Sequence, residues 1–192
     1  MIGKTKDYES LSDEDLVLKI TQKGLTDLYS IIYKRYYLKV LRKCDSLVND
    51  KDLSKVLAHD ILSGVFEKLN SFQGKSSFNT WVYSITYNHC IDYLRSNKRL
   101  HYPEWNRLQQ LPEIVDVTEE DLTDLHYSRI LELLDQLHTE EKAMLLMKYK
   151  DNLSIKDIAN SMRLTESAVK MRLMRARVRL VFNYKSLYGS YP

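Results

Sequence analysis

The chain has 192 residues, of which 44% are hydrophobic and 29% charged, and its formal net charge is only +3. This length and apolar content allow one domain, or two small ones, with a packed core. The first fifteen residues are polar and charged, so the sequence does not predict a secretory signal, and we expect a cytoplasmic protein.

Charge and proline divide the sequence into three segments. Residues 1–99 have a net charge of +4, residues 100–128 of −6 and residues 129–192 of +5. Both internal prolines, Pro103 and Pro112, lie in the acidic middle segment. We therefore predict an all-α protein in which two small helical domains, 1–99 and 129–192, are joined by an acidic, Pro-containing linker, 100–128.

Apolar residues at helical spacing predict three helices in the first half of the chain. The first opens with a capping box at Ser12 and ends at Gly24. We expect Thr26 to cap the second helix, and the third to begin near Ser54. Gly64 lies inside the third helix, where it should cost about 1 kcal/mol relative to alanine, so we expect another element to pack closely there. The apolar side of the third helix has i+4 steps: Leu57, Ile61, Val65 and Leu69.

The stretch 72–88 is a polar loop that runs into an aromatic-rich helix. Aromatic rings interleaved with Lys, Ser and Asn suit unstacked bases, because rings stack on bases and amides or hydroxyls bind base edges. Stacking contributes about 1–3 kcal/mol per base. The alternative is that Trp81, Tyr83 and Tyr87 belong to the core, as most aromatic residues at helical spacing do.

The stretch 153–180 predicts two helices joined by a tight corner. Ser154 gives the first a capping-box-like start, and we expect Thr165 to cap the second. Between Arg163 and Lys185 there are seven Lys or Arg and one acidic residue, a bias that a phosphate backbone explains better than solubility does. This pattern is typical of a helix-turn-helix, whose second helix enters the major groove.

The second of these helices has a predicted inner side and a predicted outer side. Apolar residues at i, i+4, i+7 and i+11 should pack inward, namely Val169, Leu173, Ala176 and Leu180. The opposite side carries Ser167, Lys170, Met171, Met174 and Arg175. A helical hairpin whose basic face meets only water is the alternative at this point.

The sequence has no recognisable catalytic or metal-binding motif. It lacks a Gly-rich phosphate loop, a nucleophile elbow and HExxH. Cys44 and Cys90 are isolated and stand outside metal-ligand spacing with the histidines, so we expect two reduced thiols. We expect no metal, no cofactor and no enzymatic activity, and we interpret the acidic run 119–121 as solvated.

Both halves of the sequence closely resemble bacterial RNA polymerase sigma factors of the extracytoplasmic-function group, within the sigma-70 family. The first half resembles region two through A-H-D-I at 58–61, F-x-G-x-S-x-F-x-T-W-x-Y-x-I-x-x-N at 72–88 and D-Y-L-R at 92–95. The second half resembles region four through L-S-x-x-D-I-A at 153–159 and V-K-x-R-L-x-R-A-R-x-x-L at 169–180. The two motif sets in this order, on either side of a linker, make the resemblance specific.

The resemblance implies a subunit that directs core RNA polymerase to promoters, melts the minus-ten element and starts transcription. It implies a region two helical bundle that contacts core polymerase and single-stranded minus-ten DNA. For that DNA it assigns Phe72, Lys75, Ser76, Phe78, Asn79, Trp81, Tyr83 and Asn88, and for core polymerase Asp60, Ile61 and Phe66. It implies a region four helix-turn-helix that binds the minus-thirty-five element as duplex. For that duplex it assigns Thr165, Ser167, Lys170, Met171, Arg172, Met174, Arg175 and Arg177.

The implied partners are promoter DNA, core RNA polymerase and an anti-sigma factor, which in this family can be anchored in the membrane. On the polymerase, the expected contacts are the clamp coiled coil of the largest subunit and the flap of the second-largest subunit. The alternative is a stand-alone helix-turn-helix transcriptional regulator that does not bind core polymerase. Such a regulator would have no use for the aromatic stretch 72–88. A helical enzyme is disfavoured because no convergent set of acid, base or metal ligands is present.

Five positions depart from the family pattern. Ser63 and Gly64 stand where a polar pair ending in an acid is usual, so we expect a weaker contact of the third helix with core polymerase. Arg163 stands at the corner where Gly is usual, so either it takes a positive φ at some cost or the turn has another shape. Asn152 replaces another usual Gly, a change that Asn tolerates better than most residues. Ser84 stands where an Arg is common, so we expect one contact to the DNA backbone to be missing.

Overall fold

The computed structural model of the chain describes residues 8–97 and 127–188. Within these two ranges the regular structure is helical and contains no strand, which confirms the all-α fold. The helices in chain order are α1 (Asp13–Lys23), α2 (Tyr29–Val48), α3 (Lys51–Glu67), α4 (Phe78–Ser96), α5 (Tyr127–Gln136), α6 (Thr139–Leu145), α7 (Ile155–Met162) and α8 (Glu166–Tyr188). No helix in these ranges is both long enough and apolar enough to cross a membrane.

The chain divides into two compact units, Met1–Asp92 and Tyr93–Pro192. The domain boundaries expected at residues 99 and 129 stay a prediction, because residues 98–126 lie outside the described residues. The acidic run 119–121 and both internal prolines lie outside them as well.

Local capping defines both ends of α1. The Ser12 hydroxyl accepts a hydrogen bond from the Asp15 backbone N–H at 3.0 Å, and Gly24 ends the helix with a φ of 66°. The cap at Ser12 and the end at Gly24 were both predicted. Both follow from short-range chemistry, since Gly adopts the left-handed conformation at little cost. The helix buries Leu16, Val17 and Ile20.

Helices α2 and α3 form an antiparallel hairpin. Tyr29 at the start of α2 donates a hydrogen bond to the carbonyl of Leu62 near the end of α3, at 2.5 Å. At the other end, Asn49 turns the chain with a φ of 56°, and the Asp50 carboxylate accepts the Leu53 N–H at 3.1 Å. The buried residues of the hairpin include Ile31, Ile32, Tyr36, Val40, Cys44, Leu57, Ala58, Ile61, Leu62 and Val65.

Three expectations for this unit are wrong in detail. Thr26 lies in a 3-10 turn, and α2 begins only at Tyr29 without a side-chain cap. Helix α3 begins at Lys51 and not near Ser54, because Asp50 supplies the cap. A Cβ atom on Gly64 would meet no neighbouring atom of the described residues within 4 Å, so no helix described here packs closely against this glycine.

The second unit is built on α8, which packs against α5, α6 and α7. Between α6 and α7 the chain makes a π-helical turn, Leu146–Lys150, and then reverses at Asn152 with a φ of 53°. Asn152 thus takes the left-handed conformation at a position where Gly is usual, which Asn tolerates better than most residues. Buried residues from all four helices form the core, including Leu133, Leu137, Met144, Ile158, Ala159, Val169, Leu173, Ala176 and Leu180.

Candidate nucleic-acid interface

The corner between α7 and α8 has the geometry of a helix-turn-helix. Ser154 Oγ accepts from the Asp157 N–H at 3.1 Å to begin α7, and Thr165 Oγ1 accepts from the Ala168 N–H at 3.2 Å to begin α8. Both predicted caps are confirmed. Arg163 ends α7 with a φ of 54°, so of the two alternatives for this position the positive φ is correct. The backbone N–H of Leu164 then bonds to the Ala159 carbonyl at 2.9 Å, which closes the turn.

Helix α8 has the buried stripe that its spacing predicts. Val169, Leu173, Ala176 and Leu180 are all buried. On the opposite side Ser167, Lys170 and Met171 are exposed, and Met171 leaves 48% of its surface open. Met174 and Arg175 are half-buried beside them. The first three turns of α8 therefore present a mixed basic and apolar face, suited to phosphate contacts and to a thymine methyl group.

Two arginines at the edges of this face have protein partners. Arg172 Nη1 lies 3.5 Å from Glu140 Oε2, and Arg177 Nη1 donates to the Tyr149 hydroxyl at 3.1 Å. The sequence did not predict these contacts, because Glu140 and Tyr149 come from α6 and the π-helical turn. Arg172 and Arg177 are thus oriented within the unit by these contacts.

A second carboxylate holds α8 from inside. Glu141 on α6 is buried and accepts from Arg179 Nη1 at 2.8 Å. Burial raises the pKa of the Glu141 carboxyl, against the opposing effect of Arg179. Since α6 bears both glutamates in its first turn, α6 fixes the orientation of α8 by pairing with two of its arginines.

The last turns of α8 are covered by α5. Val178, Val181 and Tyr184 are buried, and the Tyr188 hydroxyl donates to Glu132 Oε2 at 2.8 Å. Arg129 on α5 donates to the Tyr184 hydroxyl at 3.2 Å. The outward face on α8 therefore belongs to its first three turns, and its end serves to pack the unit.

In the first unit, the loop before α4 carries an aromatic cluster. The Phe72 ring lies 5.3 Å from that of Phe78 and 5.4 Å from that of Trp81, centre to centre, and the Phe78 and Trp81 rings are 5.6 Å apart. Phe72 and Trp81 are half-buried, whereas Phe78 is fully buried. Phe78, assigned to single-stranded DNA by the resemblance, is therefore a core residue that packs behind the other two rings.

The remaining residues assigned to single-stranded DNA lie around this cluster. Lys75 is exposed in the loop, and Ser76, Asn79 and Asn88 are half-buried. Tyr83 is also half-buried, with Lys43 Nζ 3.7 Å from its ring centre. Tyr87 is buried, as the core alternative for the aromatic residues predicted, while Trp81 and Tyr83 keep part of their surface open. The loop and the start of α4 thus bring amide, hydroxyl, basic and aromatic groups together.

Helix α3 holds the three residues assigned to core polymerase. Asp60 is exposed, and Phe66 leaves 40% of its surface open with its ring 4.8 Å from that of Tyr29. Ile61 is buried in the hairpin core, unlike the other two, and its assignment as a contact stays a prediction. Its burial follows from the i+4 stripe that it shares with Leu57 and Val65.

The two cysteines meet in the core of the first unit. Cys44 on α2 and Cys90 on α4 are both buried, with their sulfur atoms 3.6 Å apart. The hydrogen bond to Cys44 and burial both raise the pKa of the Cys90 thiol. They are free thiols, as expected. Within residues 8–97 and 127–188 there is no cluster of three or more His, Cys, Asp or Glu placed to bind a metal ion.

These features define a class of protein with two helical modules: a helix-turn-helix and a four-helix unit with an aromatic loop. Comparison with known protein families specifies it further. The family model "Sigma-70 region 2" matches residues 32–100, and "Sigma-70, region 4" matches residues 127–180, which together exceed half of the chain. The chain belongs to the sigma-70 family of RNA polymerase sigma factors, in the extracytoplasmic-function group, and the resemblance of its sequence motifs is confirmed.

Curated relatives are similar to this chain along most of their length. The ECF RNA polymerase sigma-E factor of Haemophilus influenzae is 27% identical over 179 residues, covering 88% of this chain and 93% of the relative. The ECF RNA polymerase sigma factor SigX of Bacillus subtilis is 24% identical over 156 residues, covering 76% of this chain and 78% of the relative.

Two solved structures share the fold. CnrH, in complex with the cytosolic domain of CnrY, has a TM-score of 0.61 and 17% identity, covering 91% of this chain and 98% of that one. The sigma factor RpoE from Bartonella quintana, in complex with the anti-sigma factor NepR, has a TM-score of 0.54 and 22% identity, covering 79% of this chain and 96% of that one.

Proposed function

We propose that this sigma factor binds promoter DNA at two places. The helix-turn-helix of α7 and α8 binds the minus-thirty-five element as duplex, and the loop 72–77 with the first turns of α4 holds unstacked bases of the minus-ten element. The observation that carries the proposal is the presence in one chain of an outward basic face on α8 and a partly open aromatic cluster before α4. A regulator that binds only duplex DNA needs the first of these and not the second.

On α8, Lys170 and Met171 are the best candidates for base contacts. Both are exposed in the second turn of the helix, where a recognition helix meets base edges. A lysine suits the acceptors on a guanine edge, and a methionine suits a thymine methyl group by apolar contact. Thr165, Ser167, Met174 and the arginines 172, 175 and 177 would surround them, with Arg172 and Arg177 held in place by their protein partners.

In the first unit, Phe72 and Trp81 are the rings that would stack on bases. Their half-buried position leaves one part of each ring open while Phe78 supports the other. Stacking of two bases would contribute about 2–6 kcal/mol in total, enough to offset the unpairing of a few base pairs when polymerase contacts add to it. Lys75, Ser76, Asn79, Tyr83 and Asn88 would supply phosphate and base-edge contacts.

We propose further that α3 docks on core polymerase through exposed Asp60 and Phe66, on the clamp coiled coil of the largest subunit. The second unit would contact the flap of the second-largest subunit, and residues 100–128 would link the two DNA-binding domains, 1–99 and 129–192. Sigma factors typically have no enzymatic activity, and we propose that this one too acts by binding alone. Its site of action is then the cytoplasm, where polymerase works.

An anti-sigma partner is also proposed. It is supported by the fold shared with RpoE, which was solved with the anti-sigma factor NepR, and with CnrH, solved with the cytosolic domain of CnrY. Whether that partner is anchored in the membrane would be tested by capturing it from fractionated cells with the tagged sigma factor.

Run-off transcription tests the central proposal. The purified chain is mixed with sigma-free core polymerase, and gel filtration measures whether a complex forms. The same mixture is then used for transcription on a random promoter pool. Co-elution with the core enzyme and enrichment of promoters with two conserved elements are expected. A chain that binds duplex DNA but neither co-elutes nor supports transcription would be a stand-alone regulator, and the proposal would be wrong.

A further inference from the structure

Two carboxylates in the first turn of α1 reach different parts of the first unit. Asp13 accepts from the Tyr36 hydroxyl at 2.6 Å and from Arg35 at 2.5 Å, both on α2. Glu14 Oε1 accepts from the backbone N–H of Phe78 at 2.9 Å, a residue 64 positions further along the chain. The first turn of α1 therefore contacts the start of α4, where the loop 72–77 ends.

The bond from Glu14 completes the capping of α4. The first N–H groups of a helix have no partner within the helix. Ser77 satisfies one of them, since its hydroxyl accepts from the Thr80 N–H at 3.2 Å, and Glu14 satisfies that of Phe78. A carboxylate is also favoured at this end by the helix dipole. The start of α4 is thus capped partly by its own loop and partly by a distant helix.

Asp13 and Glu14 act on the same residue. Glu14 holds the backbone of Phe78, while Asp13 holds Tyr36, whose ring meets the Phe78 ring edge-on at 5.5 Å. Phe78 in turn supports Phe72 and Trp81 from behind. A change at Glu14 would therefore shift the two rings that we propose to stack on bases, without touching the DNA itself.

We propose that Glu14 is a positioning residue for capture of the minus-ten bases, and that it acts through the backbone N–H of Phe78. The inference rests on the proposed function of the loop 72–77. Glu14 is an exposed glutamate on a surface helix, so without this contact it would be expected to have no effect on promoter opening.

The test uses the full chain in holoenzyme, on a promoter with 2-aminopurine in the minus-ten element. Glu14→Ala is expected to slow opening about tenfold and to reduce discrimination against a changed base in the single-stranded element. Glu14→Gln keeps an acceptor oxygen and should restore most of both. Glu14→Asp keeps the charge but is one carbon shorter, so it should resemble Glu14→Ala. Binding to core polymerase and to minus-thirty-five duplex should not change.

Asp15→Ala is the matched control. Asp15 lies in the same turn and bonds only to Ser12 among the described contacts, so its removal changes the charge equally without touching α4. The inference is overturned if Glu14→Ala opens the promoter like the Asp15 variant, or, should the alanine variant not fold, if Glu14→Asp and Glu14→Gln behave alike. Failure of the unaltered chain to open the promoter would instead refute the proposed function.

Discussion

Lys170 offers the sharpest test of the duplex-binding face. Its side chain is exposed in the second turn of α8, next to Met171, and no ion pair to it occurs in the described residues. Lys170 is proposed to meet a base edge; if its ammonium also lies against a phosphate, Lys170→Ala removes one counterion-release event, and the slope of log K against log salt becomes shallower by about 0.9. Because the lysine does not support the core, the unit should remain folded.

This slope change gives a specific expectation. Raising the salt fourfold, from 50 to 200 mM, weakens a single phosphate contact by about 3.5-fold. The affinity deficit of Lys170→Ala relative to the unaltered chain should therefore shrink by about 3.5-fold over that range. Fluorescence anisotropy with a labelled minus-thirty-five duplex measures both quantities, using the full chain at several salt concentrations.

Lys185→Ala is the matched control for Lys170→Ala. Lys185 lies on the same helix, fifteen residues or about 22 Å further along its axis, exposed in the last turns, whose inner side packs on α5. Lys185→Ala removes the same charge as Lys170→Ala and should leave both the affinity for the duplex and the salt slope unchanged. If the two variants lose affinity equally, only net charge matters and the face is not specific. A deficit that is independent of salt but depends on one base pair would show the proposed base contact without a phosphate contact.

Three further predictions concern the first unit. Gly64→Ala should stabilise it by about 0.4–1 kcal/mol in urea unfolding, because the helix gains alanine's propensity and the new methyl group meets no neighbour; a loss of stability would mean that a close contact exists after all. Trp81→Ala should impair promoter opening more than duplex binding, once circular dichroism shows that the variant is folded, since its ring supports the aromatic cluster; equal losses in both assays would contradict the base-stacking role. Cys44 and Cys90 should react with Ellman's reagent at pH 8 far more slowly than free cysteine and become reactive in urea, because both are buried and the pKa of Cys90 is raised; a rapid reaction of two thiols in the native chain would contradict their burial.

The sequence predicted those parts of the fold that depend on neighbouring residues. The caps at Ser12, Ser154 and Thr165 form between residues three positions apart, so spacing alone reveals them. The left-handed conformations at Arg163 and Asn152 follow in the same way from tight reversals of the chain. Local chemistry did not suffice everywhere, since Thr26 does not cap α2 and Asp50 caps α3, which begins three residues before the expected start.

Two site residues assigned by resemblance are buried, and each lies on a stripe of buried residues along its helix. Ile61 lies on the apolar stripe of α3, and Phe78 begins a stripe on α4 that continues through Val82 and Cys90. Both stripes face the core, since residues four apart lie on one side of a helix. For residues in regular helices, spacing was a better guide to exposure than resemblance to a family motif.

Contacts between distant segments could not be predicted. The sequence places Glu14 in a capping turn and Glu140 with Glu141 in an acidic pair, and each could equally have faced water. Only the packing of α1 near α4, and of α6 against α8, turns them into partners of specific groups. Such contacts decide which candidate site residues are held in place and which are open to a ligand.

The internal partners of α8 also lower the number of its basic side chains that we expect to contact DNA phosphates. Seven Lys or Arg between Arg163 and Lys185 would release counterions with a slope of about −6 if each met a phosphate. Arg172, Arg177 and Arg179 have partners in α6 or the π-helical turn, and paired arginines release fewer counterions. Lys185 is expected to lie away from the duplex, so three basic residues of this stretch remain, and the slope expected for the duplex element is about −3 or shallower. A slope near −6, measured with the full chain on duplex alone, would show that DNA displaces those partners and that the buried glutamates do not fix α8.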